Sequence, residues 1–274
     1  MIQNWTYYNH AVISTLEPHE IVDTSAIDDG SIWHGWGGQP LLARWTEDYD
    51  CQQKTEWWYV IKDTTFQINE LKAKRRYEIN KGKKNFKVRR IDPSIYFDDL
   101  LKVQIVAYQS WPEKYRPKIN ATEFKKELTD WKNQIVYGAF LKETGDLVGF
   151  AKLSEKEHVL EFNILRVDSN YERKGINAAI VCQIVEDYNQ RLGKEFYILD
   201  GSRAIRHETL FQDYLEKYFG FRKAYCRLRI AYRFPLNIVV KLLFAFKEKF
   251  NNESKLGNLL VALLRMEEIR RKCE

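Results

Sequence analysis

The chain has no run of about 18 apolar residues, the length a helix needs to cross a bilayer, so no ordinary membrane span is expected. Cysteine is scarce. Cys51, Cys182, Cys226 and Cys273 lie far apart and form no C-x-x-C pair. That spacing argues against a zinc site and against a disulfide framework, so no metal is expected. The opening segment MIQNWTYYNH has neither the basic start nor the apolar stretch of a secretory signal. A reduced, cytoplasmic protein is the expectation. Internal repeats, low-complexity tracts and any Ser-His-Asp or Cys-His nucleophile arrangement are also lacking.

What is present is core-forming material and unevenly spread charge. Of 274 residues 45% are hydrophobic and 14% aromatic, enough for one large domain or two small ones. The net charge is +6, but residues 1–60 carry nine acids against two bases, leaving the rest strongly basic. Such asymmetry points to a polyanionic partner for the later part: a nucleotide, tRNA, a phosphorylated sugar or an anionic lipid. A solvated basic face is the plainer reading. Six tryptophans, at 5, 33, 36, 45, 57 and 58, precede residue 60. They suit packing of a small lobe, or a sugar or cation site.

Along the chain, residues 1–37 read as irregular. PLLARWTEDYD and TEWWYVIKD read as two strands joined in a hairpin. A helix over Asn69–Asn80, a Gly-Lys-Lys turn and a strand FKVRRI follow. DPSIYFDDLLKVQIVAYQSW predicts a helix opened by Asp-Pro, and NATEFKKELTDWKN a second one capped by Asn120 or Thr122. Three strand-like runs come next, QIVYGAFLK, DLVGFAKLS and HVLEFNILRV, with a turn at Thr144-Gly145. Then come a helix near Gly175–Asn189, a strand EFYILD, a helix HETLFQDYLEKYF and a long strand FRKAYCRLRIAYRF. Two amphipathic segments, Leu236–Phe250 and Lys255–Arg271, close the chain. They suit packing on the chain's own sheet, pairing as a homodimer, or contact with an anionic membrane through Lys241, Lys247 and Lys249.

The stretch RVDSNYERKGINAA, residues 166–179, lies between a predicted strand and a predicted helix. A strand, a polar loop with a glycine and a helix start together present free backbone N–H groups to a phosphate. Lys174 adds a positive charge. The plainer reading is a helix terminus behind an ordinary loop. The stretch resembles the acyl-CoA motif V-x-P-x-Y-R-G-K-G-I-G of the GNAT acyltransferases: Val167, Tyr171, Lys174, Gly175 and Ile176 match. Glu172, Arg173 and Asn177 stand where that family has Arg, Gly and Gly. The element order from Phe86 to Phe234 is also similar to that family's. The resemblance implies an α/β fold with a mixed sheet, of GNAT type. Residues 86–234 would form that domain, 1–85 an N-terminal extension with a hairpin and a basic helix, and 235–274 the C-terminal helices. It further implies acyl-CoA as co-substrate, held by Val167, Arg173, Lys174, Gly175, Ile176 and Asn177.

Residues 71–91, LKAKRRYEINKGKKNFKVRRI, carry ten bases and one acid. On a helix, Leu71, Tyr77 and Ile79 form no continuous apolar stripe, so much of the segment is expected to face solvent or a ligand. Lys74, Arg76, Ile79 and Lys81 are similar in spacing to a basic helix of the Fem-type aminoacyltransferases, which add amino acids to peptidoglycan precursors. Acyl transfer to an amine needs a neutral amine, an N–H group facing the carbonyl and a proton for the leaving group. Glu161 is the only acid on its strand, and alternation places it with Asn163 on one face. The GNAT resemblance implies a carboxylate on this strand as base, here Glu161, and a Tyr in a Y-E-K-x-G-F run as acid; in DYLEKYFGF Leu215 takes that place, and the adjacent Tyr214 is the candidate. Lys74, Arg75, Arg76, Asn163 and Asp200 are the substrate-binding candidates, and His207 is read as structural. The expected function is acyl transfer from acyl-CoA to an amine on a phosphate-bearing acceptor. The alternatives are a Fem-like aminoacyltransferase using tRNA and a non-catalytic binding module.

Overall fold

A computed structural model describes residues 2–113, 116–205, 210–250 and 255–274. The chain forms two compact units, each assembled from segments distant in sequence. One comprises residues 1–60, 202–210 and 223–274, the other residues 61–201 and 211–222. The linear division at 85/86 and 234/235 follows neither; it stands as a proposal about modules, whereas the units describe packing.

The second unit carries the predicted alternation. Its strands are β5 (Phe86–Arg90), β6 (Ile135–Leu141), β7 (Leu147–Glu155), β8 (Val159–Val167) and β9 (Tyr197–Ser202), in spatial order β5-β6-β7-β8-β9. The first four are antiparallel, and β9 runs parallel to β8, so the sheet is mixed. Helix α3 (Phe97–Gln109) buries Leu100, Val103, Gln104 and Ala107, an i, i+3, i+4, i+7 stripe. It packs with α4 (Ala121–Asp130) around Trp131, Phe140 and Phe150. Helix α5 (Ile176–Tyr188) is buried nearly all round, which its sequence INAAIVCQIVEDY requires. It lies against α2 (Ala73–Asn85) and strands β5, β6 and β7. Helix α6 spans Leu210–Phe219.

Asn120 caps α4: its Oδ1 accepts from the N–H groups of Thr122 at 2.9 Å and Glu123 at 3.3 Å. Asn120→Ala should cost about 1 kcal/mol of stability in urea denaturation; an unchanged midpoint would refute the cap. The expected Asp-Pro helix start is displaced. Asp92 instead closes a turn onto Ser94, and the helix begins at Phe97. Helix α2 starts at Ala73 and continues through the glycine and lysines read as a turn.

The other unit differs more from expectation. Residues 1–37 are not irregular throughout: β1 (Trp5–Tyr8) and β2 (Ala11–Ser14) form a hairpin. Its two turn residues, Asn9 and His10, take φ of 48° and 65°, the left-handed pair such a turn demands. A short helix α1 (Ser25–Asp28) follows. Strands β3 (Leu42–Glu47) and β4 (Trp57–Lys62) do not pair with each other. Strand β10 (Arg222–Tyr232) lies between them, in the order β1-β2-β3-β10-β4. Its antiparallel register with β3 runs from Arg227↔Glu47 to Tyr232↔Leu42.

The tryptophans largely pack. Trp5, Trp33, Trp36 and Trp45 surround Val12, Ile32 and Ala43, and Trp57 joins Leu42, Cys226 and Leu228 in a second cluster. Of the C-terminal segments, α8 (Lys255–Arg271) buries Leu264, Met266 and Ile269 against its own unit, so it packs on the chain itself. Helix α7 (Leu236–Phe244) instead leaves Ile238, Val239 and Leu242 exposed. Among the described residues no helix is long and apolar enough to cross a membrane.

Candidate functional site

Strands β8 and β9 pair over three positions only, Val159↔Tyr197, Leu160↔Ile198 and Glu161↔Leu199. Beyond Glu161 they part. On its other side β8 stays paired with β7, but with a bulge: Lys152 faces Ile164, Leu153 faces Phe162, and Asn163 is left over. A bulged residue stands outside the ladder, so its backbone groups are open to a ligand. Asn163 is exposed. Leu160 and Phe162 are buried, whereas Glu161 is half-buried and Asn163 exposed. The parting strands and the bulge therefore meet at one place, with half-buried Glu161 at its edge.

Asp200 lies on β9 one residue past the last paired position. Burial pushes its carboxyl up to about 7, and the negative charge of Glu161 adds to the rise, against a hydrogen bond from Gln212 that lowers it. A carboxyl poised near neutral pH at the mouth of a strand opening suits proton transfer. The sequence reading gave Asp200 to substrate binding and the base to Glu161. The geometry makes Asp200 the stronger candidate base, with Glu161 as the charge that tunes it. Gln212 was missed, since nothing marks it in the sequence.

Tyr214 lies on α6 in an aromatic cluster. Its ring packs with Tyr218 at 4.9 Å, Phe219 at 5.8 Å and Phe211 at 6.0 Å between centroids. Burial raises its phenol above the ordinary range, with the nearby charges of Glu78 on α2 and Cys182 on α5 adding to the rise. Gln212, which reaches Asp200, is two residues away, about 200° around the helix. The ring of Tyr214 thus packs in an aromatic cluster, and its role as acid stands as a proposal. His207 lies outside the described residues.

The phosphate loop forms a short 3-10 turn, Ser169–Lys174, and ends at Gly175 with φ of 85°. Helix α5 then starts without a side-chain cap, leaving its first N–H groups, those of Ile176 and Asn177, without a side-chain acceptor. Arg173 and Lys174 are exposed beside it. Val167 ends β8, paired with Gly149. These groups fit a diphosphate. One flank, however, is taken by protein. A Cβ on Gly82 of α2 would stand 2.3 Å from the Gly175 carbonyl oxygen, and one on Gly175 2.9 Å from the Gly82 nitrogen. Asn85 also donates to the Lys174 carbonyl at 3.0 Å. Gly175 therefore serves both its turn and the close seating of α2, and Gly82 is the partner that sequence reading took for a turn.

That seating anchors the basic helix through Ile79 and Gly82, which are buried. Lys74 is exposed as expected. Arg75 instead lies 5.9 Å over the Tyr218 ring, and Arg76 donates to the Asn69 carbonyl at 2.9 Å. Neither contact neutralises the guanidinium charge, and their part in substrate binding stands as a proposal. Among the described residues no group of three or more His, Cys, Asp or Glu could hold a metal ion.

Residues 105–221 match the model of the Acetyltransferase (GNAT) family, an interval that contains β8, the loop, α5, β9 and α6. This segment, less than half of the chain, is similar to that family. No curated protein matches the sequence. Among solved structures, one of L-PGS from Bacillus licheniformis is similar at 12% identity and a TM-score of 0.51, over 89% of this chain and 84% of that one. A C-terminal domain of a putative lysylphosphatidylglycerol synthetase from Agrobacterium fabrum is similar at 13% identity and a TM-score of 0.52, over 88% and 84%. At that identity the likeness concerns the fold, and it extends beyond the GNAT domain.

Proposed function

We propose that the chain transfers an acyl group from acyl-CoA to an amine, at the opening between β8 and β9. The observation that carries this reading is the meeting of the strand parting, the bulge at Asn163 and half-buried Asp200 at one place. Bound acyl-CoA would supply an activated carbonyl. Ile176 and Asn177 N–H groups, with Arg173 and Lys174, would hold its diphosphate. The unpaired backbone at Asn163 offers a donor toward an oxygen that gains charge. Asp200, ionised above about pH 7, takes the proton from the incoming ammonium; the amine nitrogen bonds to the carbonyl carbon, the C–S bond breaks, and the CoA thiolate leaves, taking up that proton. The exposed Lys84, Lys87 and Arg89 favour an acceptor that carries phosphate. A cytoplasmic location belongs to the same proposal.

A second reading, aminoacyl transfer from tRNA, is favoured by the exposed bases Lys72, Lys74, Lys84 and Lys87 and by the likeness of fold to the lysylphosphatidylglycerol synthetases. Calorimetry with CoA and with tRNA separates the two. CoA binding that weakens about tenfold or more in Arg173→Ala/Lys174→Ala, with the fold retained, supports the first. Both side chains are exposed, so the melting temperature should hold. Salt-steep tRNA binding without CoA binding would replace it with the second.

A further inference from the structure

The unit built from residues 1–60, 202–210 and 223–274 holds a cavity of about 580 Å³ that acyl transfer does not use. That volume is in the range of small-molecule sites. Its wall is apolar, with Leu42 from β3, Leu236 from α7, and Leu260, Leu263 and Met266 from α8. One permanently charged side chain lines it, Arg44 of β3.

Arg44 is set apart from its neighbours. Arg203 pairs with Glu56, Arg229 with Glu47 and Arg270 with Glu267, so the unit does not lack carboxylates. Among the described residues none makes an ion pair with Arg44. Its guanidinium lies 5.7 Å over the Trp57 ring and reaches only the Met266 sulfur, at 3.9 Å. Burial lowers its proton affinity, against the small opposing effect of Tyr59. An arginine nevertheless stays charged in a protein. A charge withdrawn from water without a counter-charge is costly, and an anion from outside would offset that cost. The surface beside Leu236 is apolar as well: Phe234, Ile238, Leu242 and Phe246 are half to three-quarters exposed, with exposed Lys241 and Lys249 among them.

We propose that this cavity binds a single-chain anionic amphiphile, its hydrocarbon tail along α8 and its carboxylate or phosphate on Arg44. The assignment is independent of the acyl-transfer reading, since no residue of that site lines the cavity.

The test is calorimetry on the full chain with dodecyl phosphate and with dodecyl maltoside, both below micelle-forming concentrations. Dodecyl phosphate should bind about tenfold more tightly, as expected for a charge-assisted hydrogen-bonded anion. Arg44→Met should bring the two within about twofold, and Ala262→Phe, which fills the cavity, should weaken both about tenfold or more. The wild-type chain gives a readout that needs no variant: dodecyl phosphate should raise its melting temperature more than the maltoside does. Equal affinity for the two compounds in the wild type would overturn the proposal. So would unchanged dodecyl phosphate binding in a folded Arg44→Met. Vesicles of phosphatidylglycerol and of phosphatidylcholine then locate the source. Capture by the first alone, lost in Ile238→Asp/Leu242→Asp, supports a bilayer amphiphile. Absence of capture, with dodecyl phosphate still bound, supports a dissolved one.

Discussion

Asp200→Asn should lower turnover, followed as CoA release with a panel of amines, by roughly 100- to 10,000-fold, the usual share of a general base. In the wild type, activity should rise as pH passes about 7, where Asp200 ionises. The variant should lose that limb. Stability moves the other way. Between the ordinary carboxylate range and about 7, the folded chain keeps a proton on Asp200 that the unfolded chain has lost. Stability therefore falls as pH rises through this window, and the full penalty applies above it. The variant removes the penalty, so it should match the wild type near pH 4. Above pH 7 it should exceed the wild type, on the order of a few kcal/mol. A fully active variant would return the base to Glu161. A variant that is inactive and also unfolded at pH 8 would show that Asp200 holds the strand ends together instead.

Gly82→Ala should be the most damaging small substitution in the basic helix. The new methyl would meet backbone, not a yielding side chain: the Gly175 oxygen at 2.3 Å and the Ala179 nitrogen at 3.1 Å. Overpacking of this kind costs about 1–3 kcal/mol. Alanine returns about 1 kcal/mol of helix propensity, so a net loss near 2 kcal/mol is expected at most. The larger consequence is positional. Lifting α2 would break the Asn85–Lys174 bond and free the loop before α5, so CoA affinity should fall as well. Urea denaturation and CoA calorimetry measure the two effects. An unchanged midpoint would mean that α2 rests less closely on α5 than the geometry states.

Much of the GNAT-like segment was legible because its signals are local. Strand IVYGAFL is a continuous apolar run and LVGFAKLSE opens with one, and the stripe of α3 and the Asn120 cap are spaced by helix geometry. The site was legible only in part. The loop motif marks Lys174 and Gly175, but the bulge at Asn163 and the parting after Glu161 depend on pairing with other strands, which no single strand encodes. Asp200 was noticed for its place before a turn; its proton affinity comes from burial, a tertiary property. Gly82 looked like punctuation because the packing that requires it comes from a helix nearly a hundred residues later. The β1–β2 hairpin was missed because Asn-His is a weak turn signal beside Asn-Gly.

The place of β10 between β3 and β4 has a consequence during synthesis. Residues 42–47 and 57–62 leave the ribosome long before residues 222–232, which pair with the first and lie beside the second. At about 5–20 residues per second that interval is roughly ten to thirty seconds. Throughout it, the edge of β3 that β10 will cover is an open template for another strand. Pairings of such long sequence separation also form slowly once both partners exist. A nascent chain stalled before Arg222 should therefore be aggregation-prone, and a release of the chain in that window should produce insoluble fragments.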